Sequence, residues 1–150
     1  LLAAAQGRLR VLAESARAMP GVKTTLQRLW ESGLQMAAVV NSASSAPEIR
    51  TQLERLGVGE FFSAIVSSRD VGVPKPAPLP YWTALRELGL RAEEAGFVGH
   101  DALELAGAAA VGLRTIAFNY DRDAQADIFL HRFEELLDVV GVRTKYAAAG

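Results

Sequence analysis

The chain has 150 residues, of which 50% are hydrophobic and 22% are charged, and it contains no cysteine. This composition suits one globular domain and excludes a disordered chain, a disulfide framework and a thiolate metal site. The formal net charge of −1 offers no overall attraction to nucleic acid or to an anionic membrane, whereas a small phosphorylated metabolite needs only a local positive site. No apolar run has the roughly 20 residues of a transmembrane helix, and the lack of cysteine fits the cytoplasmic protein that we expect.

The first segment of the chain carries leucine and alanine at helical spacing. We therefore predict a helix or linker over residues 1–18. Met19-Pro20-Gly21 ends this pattern, because proline disfavours helical geometry in the residue before it. The core domain is predicted to span residues 19–143, and residues 144–150 are predicted to form a frayed tail.

Short apolar runs alternate with helical patterns along the core. Strands are predicted over residues 34–40, 61–66, 95–99 and 115–118, with a short edge strand over 127–130. Helices are predicted over residues 22–31, 47–56, 80–88, 102–111 and 133–140, with a loop over 67–76. This alternation predicts an α/β fold, a Rossmann-like parallel sheet wound by helices. Such sheets bind ligands beyond the carboxyl ends of their strands.

The residues after the first of these strands, Asn41 to Ser45, offer a carboxamide, hydroxyls and backbone N–H groups. They lead into a predicted helix, and such a turn can bind a phosphate. Asn and Ser are also the preferred residues for capping a helix. A capped turn is therefore the alternative interpretation.

Lys75 lies in the loop after the second strand, between Pro74 and Pro76. Proline fixes its own φ and restricts the residue before it, so this lysine has a constrained backbone. A positive charge held in this way could stabilise a phosphoryl group during transfer. The alternative is a solvated loop lysine, since most lysines are exposed.

The third strand is followed by His100, Asp101 and, three residues after Asp101, by Glu104. Two carboxylates one helical turn apart can converge on a hard cation such as Mg²⁺. They could equally form a capping box at the start of the next helix. His100 could act as a general base, but a single histidine leaves its role open.

These segments together resemble the haloacid dehalogenase superfamily, in particular its phosphoglycolate-phosphatase-like subgroup. Val39-Val40-Asn41-Ser42 is similar to the second motif of that family, and Lys75-Pro76 is similar to the third. Phe97-Val98-Gly99-His100-Asp101, followed by residues 107–115, is similar to the fourth motif and the helix and strand behind it. The resemblance covers nearly the whole chain.

The resemblance implies a Mg²⁺-dependent phosphatase that acts on a small phosphate ester through an aspartyl-phosphate intermediate. By position, Asn41 or Ser42 would hydrogen-bond the phosphate and Lys75 would neutralise it. Asp101 and Glu104 would serve the metal ion.

Three departures from the family pattern are visible. The first motif, Asp-x-Asp after an apolar strand near the N-terminus, is missing, and the only Asp-x-Asp, Asp121-Arg122-Asp123, is interpreted as a polar loop. The second motif usually has Ser or Thr before Asn, and here Asn41-Ser42 inverts that order. His100 stands where the fourth motif usually has an acid, which leaves Asp101 one position late.

The missing motif also has a structural consequence, because its strand is central in this fold. Without it, two buried strand edges would expose unpaired N–H and C=O groups. We therefore expect the natural protein to be longer, with residues 1–18 forming the end of a helical cap, or a partner chain to donate the strand. We also expect the chain to be inactive unless the nucleophile is supplied.

Two other functions stay open. The first is a non-catalytic ligand-binding or protein-interaction module on the same fold, which His100 and the inverted Asn41-Ser42 pair favour. The second is a phospho-acceptor receiver domain, which also uses a strand-end hydroxyl and a Lys-Pro pair. In receiver domains only one helix follows the lysine, whereas half of this chain follows Pro76, which disfavours that interpretation.

Overall fold

The structure is a computed structural model that describes residues 8–11 and 21–142. Its strands form one six-stranded sheet with the order β3-β2-β1-β4-β5-β6, and each neighbouring pair is parallel. The strands are β1 (Arg8–Val11), β2 (Gln35–Val40), β3 (Ala64–Ser67), β4 (Ala95–Gly99), β5 (Arg114–Phe118) and β6 (Ile128–Leu130). The helices are α1 (Val22–Glu31), α2 (Ala46–Arg55), α3 (Ser68–Val71), α4 (Pro78–Leu88), α5 (Ala102–Ala110) and α6 (Leu136–Val139). The predicted α/β fold is confirmed.

Alternate residues of the inner strands enter cores on opposite faces of the sheet. In β2 the side chains of Met36, Ala38 and Val40 lie in one core, with α1, α2 and α6. Ala37 and Val39 lie on the other face, which α4 covers, and α5 packs beside α4 on that same face. Parallel strands buried on both faces are typical of sheets with helical crossovers. No helix among the described residues has the length and hydropathy needed to cross a membrane.

The centre of the sheet differs from the sequence prediction. Residues Arg8–Val11 form β1, which pairs in parallel with both β2 and β4, so these residues are not helical and the central position is not empty. The physical reason is that β2 and β4 would otherwise present unpaired backbone groups in the middle of the sheet. The other residues of the predicted N-terminal helix, 1–7 and 12–18, and the predicted tail, 144–150, lie outside the described residues. The aspartates of the first motif are missing, since Asp70 is the first aspartate of the chain.

The other predicted elements lie close to their predicted positions, with two differences. The loop predicted over residues 67–76 contains α3, whose start is capped by the Ser67 side chain, which accepts a hydrogen bond from the N–H of Arg69 at 3.2 Å. β3 begins later than predicted because Gly59–Phe61 forms a turn of 3₁₀ helix. Phe61 and Phe62 therefore lie before β3 and not within it, but both side chains are buried in the core.

Helix α1 buries a narrow face. Leu26 and Leu29 are buried, whereas the neighbouring Trp30 is 46% exposed. The Trp30 ring instead packs beside Phe61, with 5.7 Å between ring centroids. Leu29 should therefore contribute more to stability than the larger Trp30.

Replacing Leu29 with alanine should lower the free energy of unfolding by about 2–5 kcal/mol, because it leaves a cavity in the core. The matched variant Trp30→Ala should cost less, about 1–2 kcal/mol, because the ring is only partly removed from water and adds one aromatic contact with Phe61. Urea unfolding of the two variants measures the difference. A loss for Trp30→Ala equal to that of Leu29→Ala would contradict the described packing of α1.

Candidate functional site

The candidate site lies at the edge of the sheet where β2, β3 and β4 end. Because the strands are parallel, the residues that follow them meet on this edge. The chain winds outward from β1 in both directions, through β2 and β3 on one side and through β4, β5 and β6 on the other. A topological switch of this kind is where open α/β sheets bind ligands.

The Lys75 side chain is buried at this edge. It is 0% exposed, and its Nζ lies 2.9 Å from Oε1 of Glu104, whose side chain is 6% exposed. The ammonium also lies 5.6 Å from the centre of the Phe97 ring. A charge removed from water needs a partner of this kind, since an unpaired buried charge is very costly. The alternative of a solvated loop lysine is therefore wrong.

The Asn41 carboxamide connects the end of β2 to both members of this ion pair. Its Oδ1 accepts a hydrogen bond from the backbone N–H of Lys75 at 2.9 Å. Its Nδ2 donates to the backbone carbonyl of Lys75 at 3.1 Å and to Oε1 of Glu104 at 3.3 Å. The Asn41 side chain thus contacts both members of the Lys75–Glu104 ion pair, so three of the five predicted site residues form one cluster.

Helix α5 approaches the Lys75 loop closely. A Cβ atom on Gly107 would lie 2.7 Å from the carbonyl oxygen of Pro76 and 2.8 Å from the Pro76 Cβ. The Tyr81 hydroxyl of α4 donates to the Glu104 carbonyl at 2.6 Å. Gly107 is one helical turn from Glu104, so the close approach and the ion pair share one face of α5.

Ser42 lies in a turn that is hydrogen-bonded to β3 and α3 through serine hydroxyls. The backbone N–H of Ser42 donates to Oγ of Ser68 at 2.9 Å, and the Ser68 hydroxyl donates to the Ser42 carbonyl at 3.2 Å. The buried Ser67 hydroxyl donates to the Ser44 carbonyl at 2.5 Å. Ser45 caps α2. The capping interpretation is confirmed for Ser45, while the Asn41 side chain makes long-range contacts instead.

Three aspartates near this edge stand at helix starts. Asp101 Oδ1 accepts the N–H of Glu104 at 2.9 Å, which caps α5. Asp121 Oδ2 accepts from the first residue of α5 at 3.2 Å, and Asp70 Oδ2 accepts from the first residue of α2 at 2.8 Å. A carboxylate is stabilised at a helix N-terminus by the N–H groups and the helix dipole. The interpretation of Asp121-Arg122-Asp123 as a polar segment after β5 agrees with this placement.

The two predicted metal ligands have different partners in the structure. Asp101 caps α5, whereas the Glu104 carboxylate faces Lys75 and Asn41. Within residues 8–11 and 21–142, no group of three or more His, Asp or Glu side chains could hold a metal ion. Mg²⁺ commonly takes one or two carboxylates and completes its shell with water and substrate oxygens. Asp101 and Glu104 could therefore supply one or two ligands to Mg²⁺, but not a complete coordination shell.

Sequence reasoning missed Ser67, Ser68, Tyr81 and Gly107. The two serines directly follow an apolar run, which is the signal that identified Asn41 and Ser42, but they were assigned to a loop. Gly107 carries a weaker signal, because glycine inside a helical pattern often marks a close backbone approach. Tyr81 carries none, since an aromatic residue in a helix usually indicates core packing alone.

Comparison with known proteins gives a consistent result. Residues 5–118 match the model of a family described as haloacid dehalogenase-like hydrolase. A phosphoglycolate phosphatase from Pectobacterium atrosepticum is 37% identical over 127 residues, which cover 80% of this chain and 53% of the relative. A ribulose-1,5-bisphosphate 5-phosphatase from Halopiger xanaduensis is 34% identical over 75% of this chain and 47% of that protein. The crystal structure of a HAD phosphatase from Thermococcus onnurineus gives a TM-score of 0.75 at 25% identity, over 85% of this chain and 60% of that one. The chain spans about half the length of the curated relatives it matches.

Lys75→Met should lower the free energy of unfolding by about 3–5 kcal/mol, because it leaves Glu104 buried without its cation. The double variant Lys75→Met/Glu104→Gln removes both charges and should recover most of that loss, as urea unfolding can measure. As a control, Arg69→Met removes an exposed ion pair with Glu48 (3.6 Å, side chains 54% and 58% exposed). It should cost less than about 1 kcal/mol. A Lys75→Met loss no larger than that of Arg69→Met would contradict a buried ion pair.

Gly107→Ala should destabilise the chain by about 1–3 kcal/mol, since the new methyl group meets the Pro76 backbone. Helix propensity alone predicts the opposite, a gain of about 1 kcal/mol for alanine over glycine. The exposed position Ala106 in the same helix serves as the control, and Ala106→Gly should cost about 1 kcal/mol through propensity only. Thermal or urea unfolding decides between the two effects, and a more stable Gly107→Ala variant would contradict the close approach.

Proposed function

The chain belongs to the haloacid dehalogenase-like hydrolase family, and from that membership we propose that its sheet edge binds the phosphate group of a small phosphate ester in the cytoplasm. The observation that carries the proposal is the buried Lys75 ammonium, held 2.9 Å from Glu104 beside the Asn41–Ser45 turn. The relatives named phosphoglycolate phosphatase and ribulose-1,5-bisphosphate 5-phosphatase support a small phosphorylated metabolite as the ligand.

In this proposal Ser42 and Lys75 bind the phosphate in different ways. The Ser42 hydroxyl accepts a hydrogen bond from the Ser44 N–H at 3.0 Å and can donate its own hydrogen to a phosphate oxygen, while Lys75 neutralises the phosphate charge. Because the Lys75 side chain is 0% exposed, phosphate binding has to uncover the ammonium. An ammonium has three N–H donors, so Lys75 can donate to the phosphate while keeping Glu104 as a partner.

Asp101 and Glu104 are the residues that we propose for Mg²⁺ at this edge. Asp101 stands at the end of β4 and Glu104 one turn later on α5. When bound, the ion would offset the charge of the phosphate oxygens. Glu104 would have to share its carboxylate with Lys75, which makes Asp101 the principal protein ligand.

The hydrolytic reaction of a family phosphatase needs an aspartate that attacks phosphorus and displaces the alcohol of the ester, which forms an aspartyl phosphate; water then releases phosphate and restores the carboxylate. The first aspartate of this chain is Asp70, and Asp70, Asp101 and Asp121 each accept a hydrogen bond at a helix start. We therefore propose that this chain binds phosphate esters and hydrolyses them only when a nucleophilic aspartate is supplied. The same observation favours the second candidate function, a non-catalytic phosphate-binding module.

Binding can be followed through the lysine ε-methylene NMR signals, because the chain has only three lysines, Lys23, Lys75 and Lys145. Phosphoglycolate or inorganic phosphate should shift the Lys75 signal and leave that of the exposed Lys23 unchanged. Lys75→Met/Glu104→Gln should bind phosphoglycolate at least about tenfold more weakly, since a hydrogen bond to a charged group is worth about 1.5–3 kcal/mol. Lys23→Met is the matched control and should bind normally. Equal affinity in the double variant and the control would contradict the proposed site.

Phosphate release from phosphoglycolate tests the catalytic part of the proposal separately. With Mg²⁺ present, the chain should release no more phosphate than Lys75→Met/Glu104→Gln does. Turnover that depends on Lys75 would demonstrate a nucleophile within this chain and would reject the non-catalytic interpretation.

A further inference from the structure

The Asn41 side chain directs both of its N–H donors at oxygens of the protein. A carboxamide has one acceptor oxygen and two N–H donors. The oxygen accepts the Lys75 N–H at 2.9 Å, and the nitrogen donates to the Lys75 carbonyl at 3.1 Å and to Glu104 Oε1 at 3.3 Å. Both donors are thus directed at protein oxygens. A phosphate, which only accepts hydrogen bonds, would meet no donor here that is not already engaged.

The hydrogen bonds from Asn41 fix the backbone of Lys75, whose two sequence neighbours supply no backbone N–H donor. Pro74 and Pro76 flank it, and proline has no backbone N–H to donate. Asn41 binds both polar groups of the Lys75 main chain, which fixes the direction in which the side chain leaves the backbone. The third hydrogen bond fixes the Glu104 carboxylate relative to the same carboxamide.

Two other contacts join the Lys75 loop and α4 to α5. Gly107 allows α5 to touch Pro76, and Tyr81 holds the Glu104 main chain at 2.6 Å. These contacts bring α5 and the loop together. Asn41, at the end of β2, contacts both the Lys75 main chain and the Glu104 carboxylate, so it can align the ammonium with the carboxylate across that contact.

We infer that Asn41 is a positioning residue, which aligns Lys75 with Glu104, and that it does not bind the phosphate itself. Its importance for phosphate binding rests on the proposed function, whereas its effect on Lys75 is a property of the ligand-free protein. The role of phosphate donor then belongs to the Ser42 hydroxyl, whose oxygen accepts from the Ser44 N–H and whose hydrogen can be donated.

The test compares Asn41→Ala, Asn41→Asp and Ser42→Ala in the ligand-free protein. The Lys75 ammonium lies 5.6 Å from the centre of the Phe97 ring, so the ring current marks the adjacent ε-methylene NMR signal of Lys75. In both Asn41 variants this signal should move toward that of the exposed Lys23, and in Ser42→Ala it should stay in place. Asn41→Asp keeps the shape of the side chain and the oxygen that accepts the Lys75 N–H. Its second carboxylate oxygen replaces the Nδ2 donor and faces the Lys75 carbonyl oxygen and Glu104 Oε1, which it repels. This variant therefore tests alignment even if Asn41→Ala is too unstable to study.

Phosphate affinity supplies the second measurement. The Asn41 variants and Ser42→Ala should all bind phosphoglycolate about tenfold more weakly, but only the Asn41 variants should also displace the Lys75 signal without ligand. An unchanged Lys75 signal in a folded Asn41→Ala or Asn41→Asp protein, together with weaker phosphate binding, would make Asn41 a direct ligand and overturn the inference. If no variant and not even the parent chain binds phosphate, the proposed function fails, while the ligand-free signals still decide the role of Asn41.

Discussion

The ion pair between Lys75 and Glu104 is the constraint on which the candidate site depends. Removing two charges from water costs several kcal/mol for each ion, and only close pairing with further hydrogen bonds repays that cost. The pair is 2.9 Å long and buried, so the loop that carries Lys75 and the helix that carries Glu104 must meet closely. The missing side chain of Gly107 permits that contact, and the Asn41 carboxamide supplies the added hydrogen bonds.

The sheet order makes this meeting possible. β2 and β4 are not neighbours, because β1 lies between them, and two strand spacings amount to about 9–10 Å. A direct contact between short side chains at the two strand ends cannot bridge that gap. Lys75 comes from the loop after β3, and Glu104 lies one turn into α5, so the two long side chains reach across it. The central strand thus sets the width of the site as well as completing the sheet.

The sequence predicts the order of the elements and the strand ends that carry Asn41, Lys75 and Asp101, because apolar runs and glycine stops are local signals. It does not predict the burial of Lys75, since a lysine between prolines looks the same in a solvated loop. Glu104 is equally ambiguous, because its position suits a capping box, and only the contact with Lys75 decides against it. Local signals predict a helix at Arg8–Val11, because the two strand edges that this segment pairs with are remote in sequence. In each case the deciding contact is non-local, as tertiary context overrides local preference.

The charges at the sheet edge also limit what the site can bind. Lys75 carries one positive charge and Glu104 cancels it, while Asp101 adds a negative charge that the start of α5 offsets only in part. An incoming phosphate ester brings further negative charge, and repulsion between charges a few ångströms apart is strong where water is excluded. In the proposed function a hydrogen bond from the Ser42 hydroxyl orients the phosphate, but such a bond does not neutralise its charge. This charge balance is the physical reason for proposing a divalent cation at the edge, with Asp101 as the carboxylate that is not committed to Lys75.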